Sequence, residues 1–214
     1  MTAHAMENGL LFQAQVQRRV RQWGLWLFFL SEAFLFAAVA SSRFFLAGLE
    51  RGEVDQALGL AITSVLLTSS VTAYRAEVAA ARGDRGGMLR NLAATILLGL
   101  AFLGGVGIEW SSAHFKPSDP FGTAFFTMTG IHSSHVASGV FILGLVLFHG
   151  LRGRFVPPPC PCNRWTPWRP CPHRPPRPSP DDVWPVEASV KYWHFVDVVW
   201  VFFYPILYLM SWPT

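Results

Sequence analysis

Several ionisable side chains stand inside or at the edge of long apolar runs: Glu32, Glu109, His132, His135, His149, His194 and Asp197. A charge carried into a hydrocarbon layer costs about 2.5–3.5 kcal/mol on insertion scales, so each such residue is a candidate for function. The chemistry open to them is proton transfer, haem ligation or hydrogen bonding between helices. His132 and His135 are three apart, as are His194 and Asp197, so each pair shares one face of a helix. Gly130, Ser133, Ser134, Ala137, Ser138 and Gly139 surround the first pair. Small residues of this kind let helices approach closely, and hydroxyls bond across the contact. His135 and His149 are fourteen apart, about four turns, a spacing that sets ligands on one face at two depths. A two-haem bundle needs a matching pair on a second helix, and no other apolar run has one. One haem between His135 and His194 stays open, beside the reading of all these groups as interhelical polar staples.

A second constellation is Cys160, Cys162, Cys171 and His173, spaced C-x-C-x8-C-x-H. Four soft ligands would suit zinc, but the spacing departs from the usual C-x2-C pair. Twelve of the sixteen prolines lie in the same stretch, 151–188, which favours extended chain over helix or central strand. The alternative is an insertion with reduced thiols.

These residues need elements to hold them. The chain has 214 residues, 51% hydrophobic and 14% charged, whereas soluble domains carry about 25% charged residues. The charges fall between long apolar runs, the pattern of a membrane protein. Five runs can each cover the hydrocarbon core: Trp23 to Phe45, Ala57 to Tyr74, Leu92 to Ile108, Phe121 to Gly150 and Tyr192 to Trp212. The third could extend back to Met88. Helices satisfy their own backbone groups in lipid, and a β-barrel would show short alternating segments instead. The fold class expected is therefore all-α, polytopic, with five transmembrane helices. The chain divides into an N-terminal segment (1–22), helices one to four (23–150), a Pro/Cys-rich loop (151–188) and helix five (189–214).

Fourteen of the seventeen Lys and Arg residues fall in the leading segment and in the second-to-third and fourth-to-fifth connections. The positive-inside rule then puts the N-terminus in the cytoplasm and the C-terminus outside. The leading segment is not expected to be a cleaved signal peptide, because its apolar run is too long and lacks a small-residue cleavage site. A net charge of +4 with no basic stripe on a soluble surface gives no reason to expect nucleic acid as a partner. Transporters usually carry internal repeats and broken spans. Here no repeat occurs, and Gly104-Gly105 and Pro205 are local irregularities only.

Trp193-His194-Phe195-Val196-Asp197-Val198-Val199-Trp200 resembles the WHFVD-V-W motif of cytochrome oxidase subunit III. Gly130-Ile131-His132-Ser133-Ser134-His135-Val136 resembles that family's G-x-H-x-x-H-V, and Ser31-Glu32 its S-E pair. Glu109 matches a glutamate two spans further on, and Arg82-Gly83-Asp84 resembles the family's inter-helix turn. The motifs run in collinear order over about Trp23–Arg154 and Val186–Trp212. The chain resembles the short five-helix form found in many bacterial members, which lacks the first two of the seven mitochondrial helices. Ser133-Ser134 replaces a more usual Gly-Leu, and the proline-rich insertion has no counterpart in the pattern.

The resemblance implies a non-catalytic subunit III of a haem–copper terminal oxidase in a bacterial inner membrane. Haem and copper would belong to partner subunits I and II, with none in this chain, and phospholipid would be bound. Glu32 would be a proton-linked or lipid-cleft carboxyl, by analogy the cleft one that reacts with carbodiimide. His132, His135, His194, Asp197 and Glu109 would hold the larger bundle, and Arg152 and Arg154 would meet lipid phosphates. A quinol oxidase subunit III and a nitric-oxide-reductase accessory protein carry the same motifs. A free-standing b-type cytochrome or small transporter is the reading from another class. The electron donor, cytochrome c or quinol, and membership of a larger supercomplex are not written in these residues.

Overall fold

A computed structural model describes residues 2–48, 54–155 and 178–210. The described chain is all-α with no strand: α1 Thr2–Ala47, α2 Gln56–Arg82, α3 Arg85–Ser112, α4 Pro120–Leu151 and α5 Pro180–Tyr204, followed by a π-helical turn at Pro205–Leu209. All five helices are long and apolar enough to cross a membrane. Their outward side chains are large and apolar, among them Leu97, Phe141, Val198 and Phe202. Such surfaces are a liability in water and the expected surface in lipid. The protein is a multi-pass membrane protein.

The chain forms two compact units, Met1–Ala38 and Val39–Thr214. The first is a single stretch of α1. The arginine-rich lead-in expected to precede the span is itself helical, because nothing between Thr2 and Ala47 breaks the backbone ladder. Ser31 Oγ donates to the Phe28 carbonyl at 2.7 Å, which satisfies the hydroxyl within the helix.

In the second unit α2 packs on α3, α3 on α4, α4 on α5, and α5 back on α2. The turns explain this order. Gly83 takes φ 76°, a left-handed conformation that ends α2, and its N–H reaches the Ala80 carbonyl at 3.0 Å. Asp84 then caps α3 by accepting from Gly87 N–H at 2.9 Å. Arg85 donates to the carbonyls of Gly150 and Leu151 (3.2 and 2.6 Å), so the start of α3 is tied to the end of α4. At the other end of the unit Arg43 is buried, donates to the Gly48 carbonyl at 2.9 Å and lies 4.9 Å from the Phe121 ring.

The last helix starts earlier than the proline content suggests. Ser179 and Asp182 form a reciprocal capping box, and Pro180 is the first helical residue, where no N–H is needed. Pro185 sits one turn further in and costs the ladder only one bond. Pro205 ends the regular helix: it offers no N–H to the preceding turn, and the chain continues as the π-helical turn.

Candidate functional site

The polar residues converge where α5 faces α2. Trp193 and Trp200 are seven apart, both fully buried, and each indole N–H is paired across the contact. Trp193 Nε1 donates to Ser69 Oγ at 2.9 Å and Trp200 Nε1 to Thr63 Oγ1 at 3.0 Å. Two glycines make room for Trp193. A Cβ on Gly99 of α3 would stand 2.5 Å from Trp193 Cη2, and one on Gly139 of α4 would stand 2.9 Å from Cε3. Three helices are thus fitted around one indole.

Between the two tryptophans, Ser70 of α2 meets both His194 and Asp197. Its Oγ lies 3.1 Å from His194 Nδ1 and within hydrogen-bond contact of Asp197 Oδ2. Asp197 is 3% exposed, and its Oδ1 has no hydrogen-bond partner among the described residues. His194 is half-buried.

The histidines of α4 are placed differently. His132 is completely buried in an aromatic box, 4.7 Å from the Trp200 ring and 5.7 Å from Phe102, with Phe203 alongside. His135 is half-buried, with Nδ1 2.8 Å from the Ile131 carbonyl of its own helix. The bond from α4 to α5 beside it is made by Ser138 and Tyr192, whose hydroxyls are 2.7 Å apart. His149 likewise bonds to its own helix at the Leu145 carbonyl, 2.8 Å away.

Glu109, at the end of α3, is buried, and both its oxygens lie 2.7 Å from the Tyr208 hydroxyl on the π-helical turn. It borders a cavity of about 140 Å³ that Asp55, Ser112, His114 and Phe115 also line, room for several waters. Glu32 is half-buried in the first unit. Arg152 is exposed with its guanidinium 4.2 Å above the Phe148 ring, and Arg154 is exposed nearby. Cys160, Cys162, Cys171 and His173 lie outside the described residues. No group of three or more His, Cys, Asp or Glu able to hold a metal occurs among the described residues.

Ser70, Thr63, Ser69, Tyr192 and Tyr208 carry no motif that marks them in the sequence. The first three are hydroxyls on α2: Thr63 and Ser70, seven apart, share a face, and Ser69 stands beside it. That pattern was the available signal.

The sequence model of the family described as cytochrome c oxidase subunit III matches residues 5–156. The chain belongs to that family. The match covers α1 to α4 and so includes the S-E pair, Glu109 and the two α4 histidines; the WHFVD-V-W segment lies beyond it. Among curated relatives, cytochrome c oxidase subunit 3 of Neurospora crassa is 33% identical over 199 residues, which is 86% of this chain and 65% of that protein. The subunit 3 of Danio rerio is 34% identical over 147 residues, 68% of this chain and 48% of that one. The subunit 3 of Corynebacterium diphtheriae is 31% identical over 156 residues, 71% of this chain and 65% of that one. The chain spans about half to two thirds of the length of the curated relatives it matches.

Proposed function

We propose that this chain is the non-catalytic subunit III of a respiratory haem–copper terminal oxidase, an enzyme that reduces oxygen to water and pumps protons. The observation that carries the reading is the family match over α1 to α4, combined with five membrane-long helices. The buried polar contacts on α5 support it. Trp193, Trp200 and Asp197 of the resembling motif bond to α2, and His132 is enclosed by rings of α3 and α5.

In this reading haem and copper belong to subunits I and II, and this chain packs beside the catalytic subunit. Glu32 is the proton-linked carboxyl at a bound phospholipid, and Arg152 and Arg154 face lipid phosphates at the cytoplasmic end. The N-terminus is cytoplasmic, the C-terminus is outside, and the membrane is a bacterial inner membrane.

The test is affinity purification of the chain from native membranes in mild detergent, with mass spectrometry and a redox difference spectrum. Subunits I and II with a-type or o-type haem are expected, and the haem type names the donor class. A Soret band belonging to this chain alone, or recovery without oxidase subunits, would overturn the assignment.

A further inference from the structure

One side of the α2–α5 contact carries a line of ionisable groups. On α5, Glu187, Lys191, His194 and Asp197 follow at spacings of four, three and three, so successive groups share a face. On α2, Glu77 and Ser70 are seven apart, two turns on the same face. Glu187 and Lys191 form an ion pair, and Glu77 lies within electrostatic reach of both. All three are half-buried near the end of the bundle where α5 begins. One turn inward is His194, then Ser70, then the buried Asp197.

The Ser70 hydroxyl has one hydrogen and stands between Asp197 Oδ2 and His194 Nδ1, a ring nitrogen that accepts in one tautomer and donates in the other. Asp197 Oδ1 is buried and has no donor among the described residues. No described lysine or arginine pairs with Asp197. A dehydrated carboxylate with one neutral donor and no counter-charge is costly, and a bound proton removes that cost. On α4, the other helix packed against α5, His132 is enclosed by Trp200, Phe102 and Phe203, and His135 is bonded to Ile131.

We propose that Ser70, His194 and Asp197 form a proton-holding site, loaded from the membrane side at which α5 begins through Glu77, Glu187 and Lys191. With the proton bound, the Asp197 carboxyl O–H donates to Ser70 Oγ, the Ser70 O–H donates to bare Nδ1 of His194, and Nε2 carries a hydrogen. Release moves the Asp197 hydrogen to Ser70 and the Ser70 hydrogen to Nδ1, and Nε2 passes its hydrogen to water. One proton leaves. Asp197 becomes a carboxylate that accepts from Ser70, and His194 stays neutral with its hydrogen on Nδ1. The seam ends at Asp197, so the site stores a proton and does not conduct one across the membrane. The inference stands on this chain alone and is independent of its assignment to an oxidase.

The experiment is infrared spectroscopy of the full chain in lipid nanodiscs, following carboxyl C=O stretching against pH and deuterium exchange. A protonated-carboxyl band is expected that Asp197→Asn removes, Ser70→Ala shifts and Ser70→Thr restores. Exchange of that band should slow by roughly tenfold or more when Glu77→Gln and Lys191→Gln are combined, because charged clefts speed delivery by at least that factor. ¹³C labelling of aspartate carboxyls in the unaltered chain assigns the band even where Asp197→Asn fails to fold. Absence of an aspartate band at every pH would overturn the proposal. So would a band indifferent to Ser70→Ala, or exchange indifferent to the paired substitution.

Discussion

At the scale of single residues, the contact most exposed to test is Glu109 with Tyr208. One hydroxyl serves both oxygens of a buried carboxyl. Tyr208→Phe removes that donor and is expected to cost about 1–3 kcal/mol, since the carboxyl is left buried and unsatisfied. Thermal unfolding in detergent measures the loss, and combining Tyr208→Phe with Glu109→Met should recover part of it, as a double-mutant cycle would report. Two glycines of α3 differ in what surrounds them. Gly99→Ala drives a methyl into Trp193, which is buried and held by Ser69, so overpacking of about 1–3 kcal/mol should outweigh the gain in helix propensity. Gly104 has nothing within 4 Å of its missing Cβ, and Gly104→Ala should leave the melting temperature unchanged or slightly raised. The spacing of His194 and Asp197 made their shared face legible in the sequence. Their partner Ser70 was not, because a serine within an apolar run carries no mark of which helix it will face. His132 was legible as a buried polar group but not as one enclosed by rings, since Trp200, Phe102 and Phe203 come from two other helices.

At the scale of elements, the first turn of α5 is held by the Ser179–Asp182 capping box ahead of a helix that contains Pro185. Ser179→Ala should cost about 1 kcal/mol, read as faster amide exchange over the first turn of α5 with the global melting temperature little changed. Removal of residues 157–177 keeps Ser179 and Pro180, and membrane insertion is expected to survive it. Failure to insert, assayed by fractionation, would give that stretch a structural role. The proline run predicts a last helix from residue 189, with its span from Tyr192, whereas α5 begins at Pro180. The cap moved that boundary: a proline at the first helical position is compatible with a helix, and only the placement of Ser179 and Asp182 fixes which proline occupies it.

At the scale of the molecule, the fold follows from hydrophobic length, and the bundle from side chains that tie α2 to α5 and α3 to the π-helical turn. Glu32 belongs to the other unit and takes no part in these ties. Glu32→Ala should therefore leave the second unit folded, with its thermal transition intact. If Glu32 is the proposed cleft carboxyl, the variant should also remain in the purified oxidase and lose carbodiimide labelling at that position. Loss of this subunit in detergent would show instead that Glu32 holds helices together.

The five spans, the all-α class and the family are legible in the order of residues alone. Each of these depends on local length, hydropathy and short motifs, which the chain carries in order. Helix packing, in contrast, is what sets Ser70 between His194 and Asp197, closes Tyr208 on Glu109, and seats one tryptophan against Gly99 and Gly139. Those pairings join residues from 54 to 127 positions apart. They are fixed by how helices rotate and pack against one another, and a helix's rotation in a bilayer is set by its neighbours, not by its own apolar sequence.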